Sequence, residues 1–394
     1  MTMEPIRKIK LSDSRVRYRL MVDAGRTPDG RRSQRTSTHR TLKEARDALA
    51  QIRAALAEGT YIPASKTTAG GHLQTWLAHR RDVRPSTLRQ YRDSLAPYIA
   101  TFGGRPLQQL TKMDVERVVT EQLSTGGRSG LGRAPRTVNL GLTILSQALE
   151  DAVKQGLLPR NVAKLVMRPK QQPTQMSTWT VDECRAFLQQ ATQDRLHAAW
   201  ELTLRGLRRG EVCGLRWDDI DLKQSVLRIR QTRTEVDGRV VIGEPKTSRS
   251  RRALPMDPTL TAALHDLRRR QASERLTAGP AAYDDSGWIV VDELGRAIAP
   301  SVYSDRFARL ARRAALPVIR LHDARHSWAT LAHLNGVPVA TISAWLGHAT
   351  ASFTMSTYVH SQADSLRAAG SLMGDLLAGT PHRNNEPEPA VRDL

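Results

Sequence analysis

The sequence predicts a mainly α protein with small β-sheets, an α+β architecture laid out in three domains. Three observations carry that expectation. The chain has 394 residues, more than one ordinary hydrophobic core organises. Apolar residues recur with the helical period over most of its length, whereas period-two alternation is confined to two short regions. Two stretches poor in large apolar side chains, 63–71 and 169–178, read as linkers. They separate residues 1–62, 72–168 and 179–378, and the tail 379–394, containing Glu386-Pro-Glu-Pro389, reads as disordered.

In the first part, residues 15–22 alternate basic and apolar side chains like a half-exposed strand. Thr27-Pro-Asp-Gly30 is a turn signal, and 31–38 returns as a second strand. Thr41 is a helix N-cap with Glu44 completing a capping box, so a helix is expected over 42–57 with Ala45, Leu49, Ile52 and Leu56 on one face. Arg7, Lys8, Lys10, Arg15, Arg17 and Arg19 give this small sheet a basic face, suited to DNA or simply to solvent.

From His72 to about Leu165 the pattern is helical throughout. Leu73, Trp76 and Leu77 begin one helix, and Pro85 opens a second with Leu88, Tyr91, Leu95 and Tyr98 in a single stripe. Thr111, with Asp114 three residues on, caps a third, and a fourth opens at Thr137 and stops at Gly156. Arg84, Arg89 and Arg136 fall between the stripes, on the expected surface, where a basic face would clamp DNA. In the last part Thr180 and Glu183 form another capping box, 225–230 alternates as a strand, Asp237-Gly238 marks a hairpin turn, and 253–256 returns as a short strand. After Asp257 the pattern reads as helical to about Leu377.

Charge narrows the partners. The formal net charge is +21 and the pI about 10.8, which favours a polyanion through counterion release. An acidic membrane surface would also attract such a chain, but no stretch is apolar enough to span a bilayer and the first thirty or so residues lack a signal-peptide core. Cys184 and Cys213 lie far apart and without metal-ligand spacing, which argues against disulfides and zinc. A cytoplasmic protein handling nucleic acid is expected.

Five short islands in the last part hold reactive or phosphate-binding side chains. Gly206-Leu-Arg-Arg-Gly-Glu211 offers Arg208 or Arg209 as a guanidinium fork, with Glu211 to orient it. Pro245-Lys-Thr places Lys246 in a turn, where it could serve as an acid toward a leaving oxygen. His322 and Arg325 are three apart, on one side of a helix. His348 follows Gly347 at a helix end, and Tyr358 sits in Thr357-Tyr-Val-His360. Each island alone is ordinary: arginines and lysines populate surfaces, and an isolated tyrosine is usually core.

The ordered set Arg208, Lys246, His322, Arg325, His348 and Tyr358 resembles the signature of the tyrosine recombinases of the phage integrase family. Pro135-Arg-Thr-Val-Asn139 and Gly156-Leu-Leu-Pro-Arg-Asn161 resemble that family's core-binding domain, and the sheet-plus-helix its arm-type binding domain. The resemblance selects Arg208 over Arg209, because it directly follows the Gly-Leu pair, and Ala324 departs from the larger aliphatic residue of many relatives. It implies a tyrosine-recombinase catalytic domain over 179–378, a 3′-phosphotyrosyl ester on Tyr358, stabilisation of the phosphate by Arg208, Arg325 and His348, proton transfer or donation to the phosphate by His322, and protonation of the leaving oxygen by Lys246. It further implies no metal or cofactor, duplex attachment sites as substrate, a homotetramer on DNA, an excisionase and a host DNA-bending factor. A resolvase of the same family, a type IB topoisomerase and a regulator that has lost catalysis are the alternatives.

Overall fold

Cross-strand burial against one helix builds the first element group. Strands β1 (Ile6–Lys10), β2 (Val16–Arg26) and β3 (Arg32–His39) form an antiparallel sheet in the order β1-β2-β3. The register sets Ile6 opposite Leu20 and Arg7 opposite Arg19. Alternation along β2 sends Leu20 and Val22 to one face, where they are buried with Ile52 of helix α1 (Leu42–Ala57). Both halves of the Thr41–Glu44 capping box are made, and α1 has the bounds the sequence predicts. Strand β1 goes beyond the sequence expectation; its Ile-Arg-Lys-Ile-Lys run shows only a weak alternation.

The computed structural model describes residues 5–10, 15–26, 32–58, 61–63, 65–127, 130–171, 177–244 and 250–348. The turn at 27–30, Lys246, Tyr358 and the tail all lie outside them. The chain divides between Pro173 and Thr174 into two compact units.

Helices α2 (Ala69–Ala78), α3 (Pro85–Phe102), α4 (Lys112–Ser124) and α5 (Pro135–Lys154) complete the first unit. Their stripes meet in one core around Leu73, Trp76, Leu95, Tyr98, Val115, Leu142, Leu145 and Leu149. The first of these helices begins earlier than its apolar stripe. Thr68 caps it by accepting from the Gly71 amide, and Gly70 lies so close to Gly103 that a Cβ would come within 2.9 Å of its carbonyl oxygen. Helix α5 likewise starts at Pro135 rather than Thr137, proline being preorganised for a first helical turn.

The second unit holds a sheet of β4 (Ile220–Asp221), β5 (Val226–Ile229) and β8 (Arg252–Pro255), plus a hairpin of β6 (Thr232–Val236) and β7 (Arg239–Gly243). Around them stand α6 (Val181–Ala191), α7 (His197–Leu204), α8 (Arg209–Cys213), α9 (Pro258–Ala278), α10 (Pro300–Arg313), α11 (Leu321–Leu334) and α12 (Val339–Leu346). An aromatic cluster fastens α6, α7 and α10: Trp200 stacks on Tyr303 with centroids 4.3 Å apart, and Phe187 meets Phe307 at 5.0 Å. Such pairs add about 0.5–1.5 kcal/mol each beyond the area they bury. The continuous helical reading after Asp257 is corrected at 279–299. There Gly279 ends α9 at φ 74°, and Ile289, Val290 and Ile298 fill the core from an irregular segment pinned by isolated bridges. Burial drove that apolar pattern, not helical periodicity.

Candidate active site

The site is assembled at the C-terminal end of α12. A helix ends with carbonyls that lack partners and carry the negative end of the macrodipole, and here three arginines take successive ones. Arg252 donates through Nε to the Trp345 carbonyl, Arg325 through Nη2 to that of Leu346, and Arg208 through Nη2 to that of Gly347 at 3.1 Å. Gly347 closes the helix in the left-handed region, φ 61° and ψ 48°, which points the chain and His348 back over the cluster.

The three arginines come from distant elements. Arg208 is the N-cap of α8, and the chain reaches it through Gly206 at φ 87°, where a Cβ would lie 2.9 Å from Leu346 and 3.2 Å from Trp328. Glycine alone lets this bend pack under α11 and α12, and its carbonyl accepts from Arg325 Nη1 at 2.7 Å. Arg325 is a residue of α11 with 1 % exposure. Arg252 opens β8 and is also nearly buried.

Glu211, 1 % exposed, supplies the anion that such a cluster requires. Its carboxylate accepts from Arg208 Nη1 at 2.7 Å, from both terminal nitrogens of Arg252 at 3.0 Å, and from the Arg208 backbone amide at 2.9 Å. Burial alone would raise its pKa; the hydrogen bonds and charge of Arg252, with Arg208 and Arg325, bring it down to about 2. Three guanidiniums around one carboxylate leave a net positive field.

Both histidines feel that field. His348 is lowered to about 3, by burial first and then by Arg325 and Arg208. His322 reaches solvent at the start of α11, yet it too is lowered, to about 4, by burial of its imidazole and then by His326 and Arg325. The His322 and His326 rings meet edge to face at 4.9 Å. At neutral pH both site histidines are therefore uncharged, and each is a neutral hydrogen-bonding group beside fixed cations. An anion with several acceptor oxygens, such as a phosphodiester, is what this arrangement can hold.

The structure thus brings together Arg208, Glu211, His322, Arg325 and His348 of the residues expected from sequence. Lys246 and Tyr358 lie outside the described residues, although Ser250 and Arg252, four and six residues after Lys246 in the sequence, belong to the cluster. Arg208, not Arg209, turns toward Glu211; Arg209 is directed to Ser304 on α10. Arg252 escapes the sequence reading, because it sits in a run of basic residues and its partners are far away in the chain. Among the described residues no three His, Cys, Asp or Glu side chains are grouped to hold a metal ion, and no helix is long and apolar enough to cross a membrane. Arg15, Arg17 and Arg19 lie on or beside β2, Arg84 stands just before the first turn of α3, Arg89 stands on it in an ion pair with Asp93, and Arg136 is exposed in the first turn of α5.

Fold and site define a basic, anion-holding domain, and the comparisons make it one that cuts and rejoins DNA. Residues 177–365 match the phage integrase family and form a domain of that family, and with relatives named tyrosine recombinase and integrase along most of its length the protein is a site-specific recombinase. It is 27 % identical over 368 residues to a XerC-like tyrosine recombinase of Caldanaerobacter subterraneus, covering 87 % of this chain and 92 % of the relative. The ICEBs1 integrase of Bacillus subtilis is 25 % identical, with 91 % of this chain and 97 % of the relative covered. The Tn1549 transposon integrase in complex with transposon right-end DNA has the same fold, with a TM-score of 0.66, 19 % identity, and coverage of 78 % of this chain and 99 % of that one.

Proposed function

We propose that this recombinase integrates and excises a mobile element by forming a 3′-phosphotyrosyl ester on Tyr358. The phenolic oxygen attacks the scissile phosphorus, the bond to the 5′ oxygen breaks, and Lys246 gives that oxygen its proton. A phenol with pKa near 10 is a poor nucleophile, so the rate depends on stabilising charge that gathers on the non-bridging oxygens. Arg208 and His322 meet the phosphate from the solvent side, with Arg325 and His348 behind them; one preorganised donor of this kind is worth about 3–4 kcal/mol. The ester conserves the bond energy, and rejoining reverses the step with a new 5′ hydroxyl. The observation that carries the reading is the convergence of Arg208, Arg325 and His348 on one helix end, ten residues before Tyr358.

In this reading 179–378 is the catalytic domain, 72–168 the core-binding domain and 1–62 an arm-type domain whose sheet face carries Arg7, Arg17 and Arg19. Arg84, Arg89 and Arg136 contact backbone phosphates around the core site. Four protomers act on two duplex attachment sites in the cytoplasm, with an excisionase and a DNA-bending factor setting direction. The separate basic sheet, a second DNA-binding element beyond the core-binding and catalytic parts, favours integration over a resolvase role. Tyr358→Phe tests the central step: the variant should bind its core site with unchanged affinity and yield no covalent adduct on a nicked suicide duplex. An adduct from the variant would move the nucleophile to another residue.

A further inference from the structure

Arg208 and Arg209 are chain neighbours, with Cα atoms about 3.8 Å apart, yet their guanidiniums part. Arg208 turns to Glu211 and the Gly347 carbonyl. Arg209 donates through Nη1 to Ser304 Oγ at 3.0 Å, and Ser304 in turn donates to the Pro300 carbonyl at 3.1 Å, which leaves its lone pairs for Arg209. Between them opens a cavity of about 630 Å³, walled by Arg208, Arg209, Ser304, Ala308, Arg320 and His322.

Three arginines line this cavity and they are not equivalent. Arg208 is held by Glu211 at 2.7 Å, and Arg320 closes its fork on Asp323 through Nε at 2.8 Å and Nη2 at 2.9 Å. Among the described residues Arg209 has a neutral hydroxyl for its partner and no carboxylate within ion-pair distance. One wall of the cavity is therefore the active site, through Arg208 and His322, and the other carries a cation without an anion. A DNA strand supplies one further phosphate per nucleotide along its backbone.

We propose that Arg209, braced by Ser304, binds the backbone phosphate next to the scissile one, and that this cavity seats the linkage between them. The inference rests on Arg208 marking the scissile phosphate. Arg209 is then a substrate-positioning residue: two consecutive phosphates held on diverging forks fix the strand direction, and with it the line from the nucleophile through phosphorus to the leaving oxygen.

The test uses the full chain and a nicked core-site duplex whose scissile phosphate has been located by sequencing the covalent adduct. Each flanking phosphate is replaced in turn by a neutral methylphosphonate. One replacement should slow wild-type cleavage about ten- to a hundredfold, the range for one charge-assisted hydrogen bond. Arg209→Ala should slow the unmodified duplex by a similar factor and show no additional loss at that linkage. Ser304→Ala should give a smaller loss at the same linkage, and the salt dependence of Arg209→Ala binding should fall by about 0.9 in log–log slope. Multiplicative losses at every linkage, or wild-type cleavage by Arg209→Ala, overturn the proposal. Should the alanine variant misfold, Arg209→Gln carries the same cycle. A wild-type rate from Arg208→Ala would instead remove the scissile-phosphate assignment, and the Arg209 cycle would then be read by binding alone.

Discussion

In the N-terminal sheet, Arg7 lies directly across from Arg19, with both side chains exposed. At the end of α12, Arg208, Arg252 and Arg325 also gather, but around Glu211 and three successive carbonyls, with Arg325 fully enclosed. Like charges opposite one another in a sheet are destabilising and are tolerated because water screens them. Buried cations are tolerated only when every one is answered by an acceptor. The first arrangement suits binding that salt can modulate. The second suits preorganisation, in which donors stand in place before charge develops.

Glu211→Gln strikes at the difference directly and should have the largest effect. It keeps the shape but removes the anion among three guanidiniums, so stability should fall by about 3–5 kcal/mol, the range for breaking a buried ion pair, as measured by chemical denaturation. Because the Glu211 pKa is lowered from 4.5 to about 2, its contribution is fully present above about pH 4.5 and fades as the pH falls toward 2. Core-site cleavage should drop far more than duplex binding, since Arg208 loses its orienting partner. Near-wild-type stability would mean that the α12 carbonyls suffice to hold the arginines.

Legibility from sequence follows the range of each interaction. The capping boxes at Thr41, Thr111 and Thr180 close over three residues, and all three are made. Arg208 with Glu211, and His322 with Arg325, are also local pairs, so their islands stand out in the chain. Arg252 reaches Glu211 across 41 residues and Trp345 across 93, and nothing in the surrounding basic run distinguishes it. The same holds for 279–299, where the Ile289 amide reaches the Leu215 carbonyl and the Ile298 amide the Val290 carbonyl in an irregular path that no period announces. The family pattern chooses Arg208 over Arg209, but the partner that takes Arg209 instead, the hydroxyl of Ser304 95 residues away, leaves no local signal.

Proton linkage sharpens the contrast at moderate size. His348 is lowered to about 3 and His322 to about 4, so from pH 6.5 downward the unfolded chain takes up protons that the free enzyme refuses, and the free enzyme loses stability across that window. A phosphate in the site cancels part of the arginine field and raises both values. Binding should then draw in protons, and affinity for the core duplex should increase from pH 7 to pH 5. Titration calorimetry at pH 5.5 in two buffers of different ionisation enthalpy measures the uptake, which His348→Gln should reduce. Equal heats in both buffers would show that the arginines add nothing to the lowering that burial already causes.

The smallest effect belongs to the sheet. Arg17→Ala and Arg19→Ala remove cations that water reaches, Arg19 being the more exposed. Each should change stability by no more than about 0.5 kcal/mol, as surface substitutions do; removing Arg19 even relieves its repulsion with Arg7. Duplex affinity should weaken at low salt, with the log–log salt slope falling by about 0.9 for each phosphate no longer neutralised, while the rate of core-site cleavage at saturating DNA stays unchanged. A change in that rate would mean that the sheet acts on the chemistry and not only on binding, and the division between screened and enclosed charge would fail at its exposed end.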